Sequence, residues 1–139
     1  MTLYQITNNL LNIARSQHNI SYVGEGDIYS LNSLPNINYG VFFVTQTNHS
    51  QREDTISYTF TLYYVDRLLP DNSNKLQIQS NGIVTLGNII NTLANKYDVE
   101  VDYAIQYTTF IQRFVDMCSG VFATVTINVD NNIGLCAFS

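Results

Sequence analysis

The sequence predicts an α+β fold: an antiparallel sheet with two helices packed on one of its faces. Two segments carry helical periodicity, four carry strand character, and they occur in the order α-β-β-α-β-β. Helices that alternate with hairpins can both lie on the same face of such a sheet. The 139 residues suit a single domain, 1–139.

The first helix is expected over Thr2 to His18. Leu3, Ile6, Leu10, Ile13 and Ala14 recur on one helical face, and Thr2 and Gln5 stand at capping-box spacing. Residues 19–38 read as an irregular connection punctuated by Gly24, Gly26, Asn32, Ser33, Pro35 and Asn36. Tyr22, Val23, Ile28, Tyr29, Leu31 and Leu34 make it too apolar for a free linker. It should lie against the core, with a helical turn near Asp27 to Leu31.

A hairpin follows. Tyr39 to Thr47 is its first strand. Thr55 to Leu68 is its second, with Ile56, Tyr58, Phe60, Leu62 and Tyr64 on one face and Thr55, Ser57, Thr59, Thr61 and Tyr63 on the other. Residues 48–54 (NHSQRED) are read as a polar, projecting loop between them. After the break at Pro70 to Asn74, a second helix is expected over about Lys75 to Tyr97. Leu76, Ile83, Leu86, Ile89, Ile90 and Leu93 give it an apolar face. Gly82 and Gly87 weaken it by roughly 1 kcal/mol each relative to Ala, unless they serve close approach to the sheet. From Asp98 the chain reads as extended through TTFIQRFV, then as a turn over Asp116 to Gly120. The last strand is Val121 to Asp130, and LCAFS is read as a short edge strand or tail.

Composition narrows function. Charged residues are 12% of the chain, about half the usual ~25%. The net charge is −5, from 6 basic and 11 acidic residues. An acidic chain with few basic residues lacks the footprint of a nucleic-acid binder. No apolar run approaches the ~18 residues of a membrane span, so no membrane partner is expected. MTLYQITNNL has neither a basic nor a continuous apolar region, so no secretory signal is expected, and the Asn19 and Asn48 glycosylation patterns carry no meaning. Neutral polar residues fill the gap left by charge, in a weakly self-repelling surface suited to cover by other subunits. Ten tyrosines and no tryptophan suit either interfaces or half-wet strands.

Chemical candidates are few. Cys118 and Cys136 read as reduced thiols; His18 and His49 have no nucleophile adjacent in sequence. Glu25 and Asp27 flank Gly26 as turn carboxylates. GEGD lacks the lysine and the strand–glycine–helix setting of a phosphate loop. Asp98, Glu100 and Asp102 recur at period two, placing three acids on one strand face, either solvated or lining a channel.

Three segments carry a family likeness: GEGDIYSLNSLPNINYGVFFVTQ (24–46), FTLYYVDRLLPDNSNKLQIQSNG (60–82) and FVDMCSGVFATVTINVDNNIGLC (114–136). With the element order, they resemble the tail-completion and tail-terminator neck proteins of tailed bacteriophages, in particular crAss-like phages infecting Bacteroides. The resemblance implies a tail-terminator-like fold and a structural subunit of a homo-oligomeric ring at the head–tail junction of the virion, synthesised in the host bacterial cytoplasm. It implies neighbouring neck, portal-side or tail proteins as partners, packaged DNA passing through the lumen, and no enzyme activity, metal, cofactor or catalytic residue. On that basis His49, Gln51, Arg52, Glu53, Asp54, Tyr29 and Leu31 are expected at subunit interfaces. Asp98, Glu100 and Asp102 are expected to face the lumen, where repulsion from phosphate lets DNA slide. A tail tube or baseplate component, and a small intracellular adaptor that binds a partner by strand addition, remain alternatives.

Overall fold

The computed structural model describes residues 2–33, 39–97, 99–113 and 116–130. The elements are α1 (Leu3–Arg15), β1 (Tyr22–Glu25), a 3-10 helix (Ile28–Ser33), β2 (Val41–Gln51), β3 (Thr55–Arg67), α2 (Lys75–Lys96), β4 (Glu100–Val101), β5 (Tyr107–Arg113) and β6 (Met117–Asp130). The fold is α+β, two helices on a six-stranded sheet. The sheet runs β1-β2-β3-β6-β4, with β5 also on the outer side of β6.

α1 starts where the sequence places it. Gln5 N donates to Thr2 Oγ1 at 3.2 Å, and Thr2 N donates to Gln5 Oε1 at 2.9 Å, closing the capping box. It stops at Arg15, three residues short of the expected end, so His18 lies in the exposed turn beyond it. α2 is buried along Ile78, Gly82, Thr85, Leu86, Ile89, Ile90 and Leu93. Both helices pack on the sheet face formed by Phe42, Val44, Phe60, Leu62, Tyr64, Val121, Ala123, Val125 and Ile127. The alternation read in Thr55 to Leu68 therefore assigns its two faces correctly. A smaller core on the opposite face joins Ile28 and Leu31 of the 3-10 helix to Val41, Phe43, Val65 and Cys118.

Five expectations need correction. Leu76 and Ile83, expected on the apolar face of the second helix, are 73% and 40% exposed. The sheet is mixed rather than antiparallel throughout, because Tyr22–Glu25 pairs parallel with Val41–Val44. Within the connection, Tyr22 packs on the smaller core and Val23 on the larger, so four residues suffice for an edge strand. The 48–54 segment is not a loop: β2 continues to Gln51 through a bulge between Gln46 and His49, and Arg52, Glu53 and Asp54 alone turn the chain. The extended run from residue 98 is broken after Val101. Asp102 N still donates to Thr126 O of β6 at 3.1 Å; beyond it local bonds take over, Ala104 N to Asp102 Oδ1 at 3.1 Å and Ile105 N to Tyr103 O at 2.8 Å. Met117–Gly120 is not a turn but the start of β6, paired with β3 on one side and β5 on the other. Its small residues reflect crowding: a Cβ on Gly120 would collide with Tyr64 O and lie 2.8 Å from the Phe110 ring. Asp98, Cys136 and the LCAFS tail lie outside the described residues.

Candidate functional site

With both helices on one face, the other face of the sheet is covered, among the described residues, at one end by the 3-10 helix. Beyond that cover it presents paired neutral polar side chains from β3 and β6. Ser57 Oγ donates to Asn128 Oδ1. The Thr59 and Thr126 hydroxyl oxygens are 3.2 Å apart, and those of Thr61 and Thr124 are 3.4 Å apart. Such cross-strand hydroxyl pairs satisfy one another and stiffen the face without charge. Beside them Tyr63, Phe110 and Phe122 form a half-buried aromatic cluster, with centroid separations of 5.8 to 6.4 Å.

The hairpin arm is the second feature. From Gln46 to Gln51 every residue of β2 is exposed. His49 is a strand residue opposite Tyr58. Its ring meets Tyr58 edge-on at 5.4 Å and Phe60 at 6.1 Å, with Nε2 3.3 Å from Gln46 Oε1. Gln51 pairs with Ile56, and Arg52 N donates to Thr55 O at 2.7 Å, closing the turn that carries Arg52, Glu53 and Asp54 into solvent.

The structure separates the other residues singled out by sequence. Tyr29 is 55% exposed on the 3-10 helix, whereas Leu31 is 1% exposed within the smaller core and unavailable to a neighbour. The expectation of an interface role for Leu31 is corrected on that ground. Glu100 and Asp102 are exposed at the outer side of β6, Glu100 opposite Asn128. The Asp102 carboxylate is turned onto its own loop by the bond from Ala104 N. Glu100 borders an open cleft of about 360 Å³ that also includes Thr55, Asn128 and Asp130.

Two concavities lie where β1 ends, and sequence reasoning missed both. One, of about 540 Å³, is lined by Glu25, Gly26, Asp27, Ile28, Tyr29, Thr45, Gln46 and Tyr63. Gly26 N donates to Val44 O at 3.0 Å and Thr45 Oγ1 to Gly26 O at 2.7 Å, which fixes the point where the chain leaves β2. Burial, with Tyr29 and Asp27 close by, pushes the Tyr63 hydroxyl up. The other, of about 270 Å³, lies on the helix side and includes Leu3, Tyr4, Leu11, Glu25 and Gln46. Their signal in the sequence is slight: two strand-forming residues, Tyr22 and Val23, in a short stretch that ends at Gly26.

A polar cluster closes the opposite end of the sheet. Asp116 Oδ2 accepts from Tyr39 Oη at 3.0 Å and from Arg67 Nη2 at 3.1 Å, and the Arg67 guanidinium lies 5.1 Å from the Tyr39 ring centroid. Cys118 is fully buried beneath it, with Sγ donating to Asp116 O at 3.4 Å. Burial pushes the Cys118 thiol up to about 11, so it is protonated at neutral pH, the unreactive form. This cluster ties three strand ends together.

No protein-family model matches the chain, and no curated protein matches it.

Proposed function

We propose that this chain is a non-enzymatic structural subunit that assembles with copies of itself, as a ring of the head–tail neck or tail-completion assembly of a bacteriophage virion. The observation that carries the assembly reading is the half-covered sheet. One face is sealed by two helices, while the other offers neutral hydroxyl and amide pairs beside an aromatic cluster. A surface with so little charge has little to keep copies apart. The placement in a phage neck rests on the likeness of the three segments and on the α+β element order. In that ring Tyr29 and the arm residues His49, Gln51, Arg52, Glu53 and Asp54 contact neighbouring subunits or neck proteins, and Glu100 and Asp102 face the lumen and the passing DNA.

A second reading, a small adaptor that binds a partner's strand, is favoured by the exposed edge of β2. Size-exclusion chromatography with negative-stain microscopy of the purified chain separates the two. Closed rings are the expected result; a monomer that captures an extended peptide would replace the first reading with the second.

A further inference from the structure

The sheet has an acceptor edge and a donor edge that match. β1 pairs only with Val41–Val44, so among the described residues no strand lies on the outer side of β2 from Thr45 to Gln51. Arg52 bonds inward to Thr55, and alternation along the ladder turns the peptide groups of Gln51 and His49 outward. The empty position continues the line of β1, and the two concavities flank its start, one on each face, both bounded by Glu25 and Gln46. An added strand sends alternate side chains to opposite faces, which is the form of site such a pair of grooves makes.

Across the sheet, β5 pairs with β6, and among the described residues no strand lies on its other side. It runs opposite to β2, because each pairing from β2 through β3 and β6 to β5 is antiparallel. Two copies placed in one continuous sheet therefore bring β5 of the first antiparallel to β2 of the second. The edges are of similar length, Thr45 to Gln51 with the bulge between Gln46 and His49, and Tyr107 to Arg113, and neither contains Lys, Pro, Asp or Glu, residues that commonly protect free edges. The faces agree as well. Ile111, 45% exposed on the helix side, matches the groove of Leu3, Tyr4 and Leu11; on the other side Phe110 packs inward on its own Tyr63 and Phe122, and exposed Thr108 is the side chain that faces the neighbouring copy.

We infer that copies of this chain join head to tail by antiparallel pairing of β5 from one copy with the Thr45–Gln51 edge of β2 in the next. This rests on the assembly reading above and specifies its contact, a heterologous one that generates rings or filaments. Full overlap of the two edges sets His49 opposite Thr109. In a Cys136→Ser background, the double variant His49→Cys/Thr109→Cys, oxidised at the concentration where the parent assembles, should give a ladder of disulfide-linked multimers. Neither single variant should give more than traces. Gln51→Pro, which removes an outward N–H, should lower the assembled fraction and leave circular dichroism of the monomer unchanged. Repeating the cross-link with Thr108→Cys in place of Thr109→Cys guards against a one-residue offset. Rings that persist with neither double variant forming a ladder would overturn this contact and leave the assembly reading standing. Efficient dimers from His49→Cys alone would overturn it in favour of a two-fold β2–β2 contact. A parent that is monomeric at all concentrations would overturn both.

Discussion

Gly82 of α2 lies so close to β6 that a Cβ there would stand 2.8 Å from Val121 Cγ2 and 3.1 Å from the Tyr64 ring. The helix is seated on the sheet through the absence of a side chain. That seating holds α2 over Phe60, Leu62 and Val121, while among the described residues the 3-10 helix packs on the opposite face.

Gly82→Ala should therefore destabilise the protein. A gain of up to about 1 kcal/mol in helix propensity is outweighed by overpacking of about 1–3 kcal/mol. Gly87→Ala is the control. Among the described residues its Cβ would meet the Tyr107 hydroxyl alone, at 3.3 Å, the far end of a partly exposed side chain, so the substitution should be neutral or stabilising. Urea denaturation of both variants checks the opposite signs.

Asp66 gives the stability a pH dependence. Burial pushes its carboxyl above the usual carboxylate range, against the lowering effect of Arg67. A carboxyl raised in the folded state binds more protons folded than unfolded. Stability should thus increase as pH falls from neutral through the raised value toward the ordinary one, and the gain is complete below the unfolded pKa. Asp66→Asn should remove that slope, which denaturation midpoints between neutral and mildly acidic pH would report.

Arg67 and Asp116 form an ion pair at 3.1 Å with side chains 57% and 38% exposed. Its contribution should be small: Arg67→Ala is expected to cost at most about 1 kcal/mol, including the lost contact with Tyr39. A thermal unfolding shift of only a few degrees would agree.

Cys118 should resist modification. In a Cys136→Ser background, a thiol reagent at mildly alkaline pH should label Cys118 only after denaturation, because the group is fully buried and its pKa is raised to about 11 by that burial. Fast labelling of the native chain would contradict the packing of the smaller core.

Much of this architecture was legible because it follows from periodicity. The 3, 4, 3 spacing of Leu3, Ile6, Leu10 and Ile13, and the alternation in Thr55 to Leu68, report which side of each element is wet. Close approach to the sheet, the alternative left open for Gly82 and Gly87 together, applies to Gly82 and not to Gly87. What was not legible depends on distant partners. Tyr22–Glu25 is a strand because β2 offers it a parallel edge, and Met117–Gly120 is a strand because two neighbours hold it. For Leu31 the apolar content of the connection pointed to the core and the family resemblance to an interface; the 3-10 helix Ile28–Ser33 bears out the first. The grooves beside Glu25 and Gln46 arise from where one strand stops beside another, a relation that no local pattern encodes. The low charge content now has a structural location: it characterises the Ser57–Asn128, Thr59–Thr126 and Thr61–Thr124 face and the two free sheet edges.

Self-assembly is the central claim, and native mass spectrometry at micromolar concentration tests it most directly. A dominant species at a single multiple of 15.7 kDa, three copies or more, is the expected result. A chain found only at 15.7 kDa across that concentration range would contradict it.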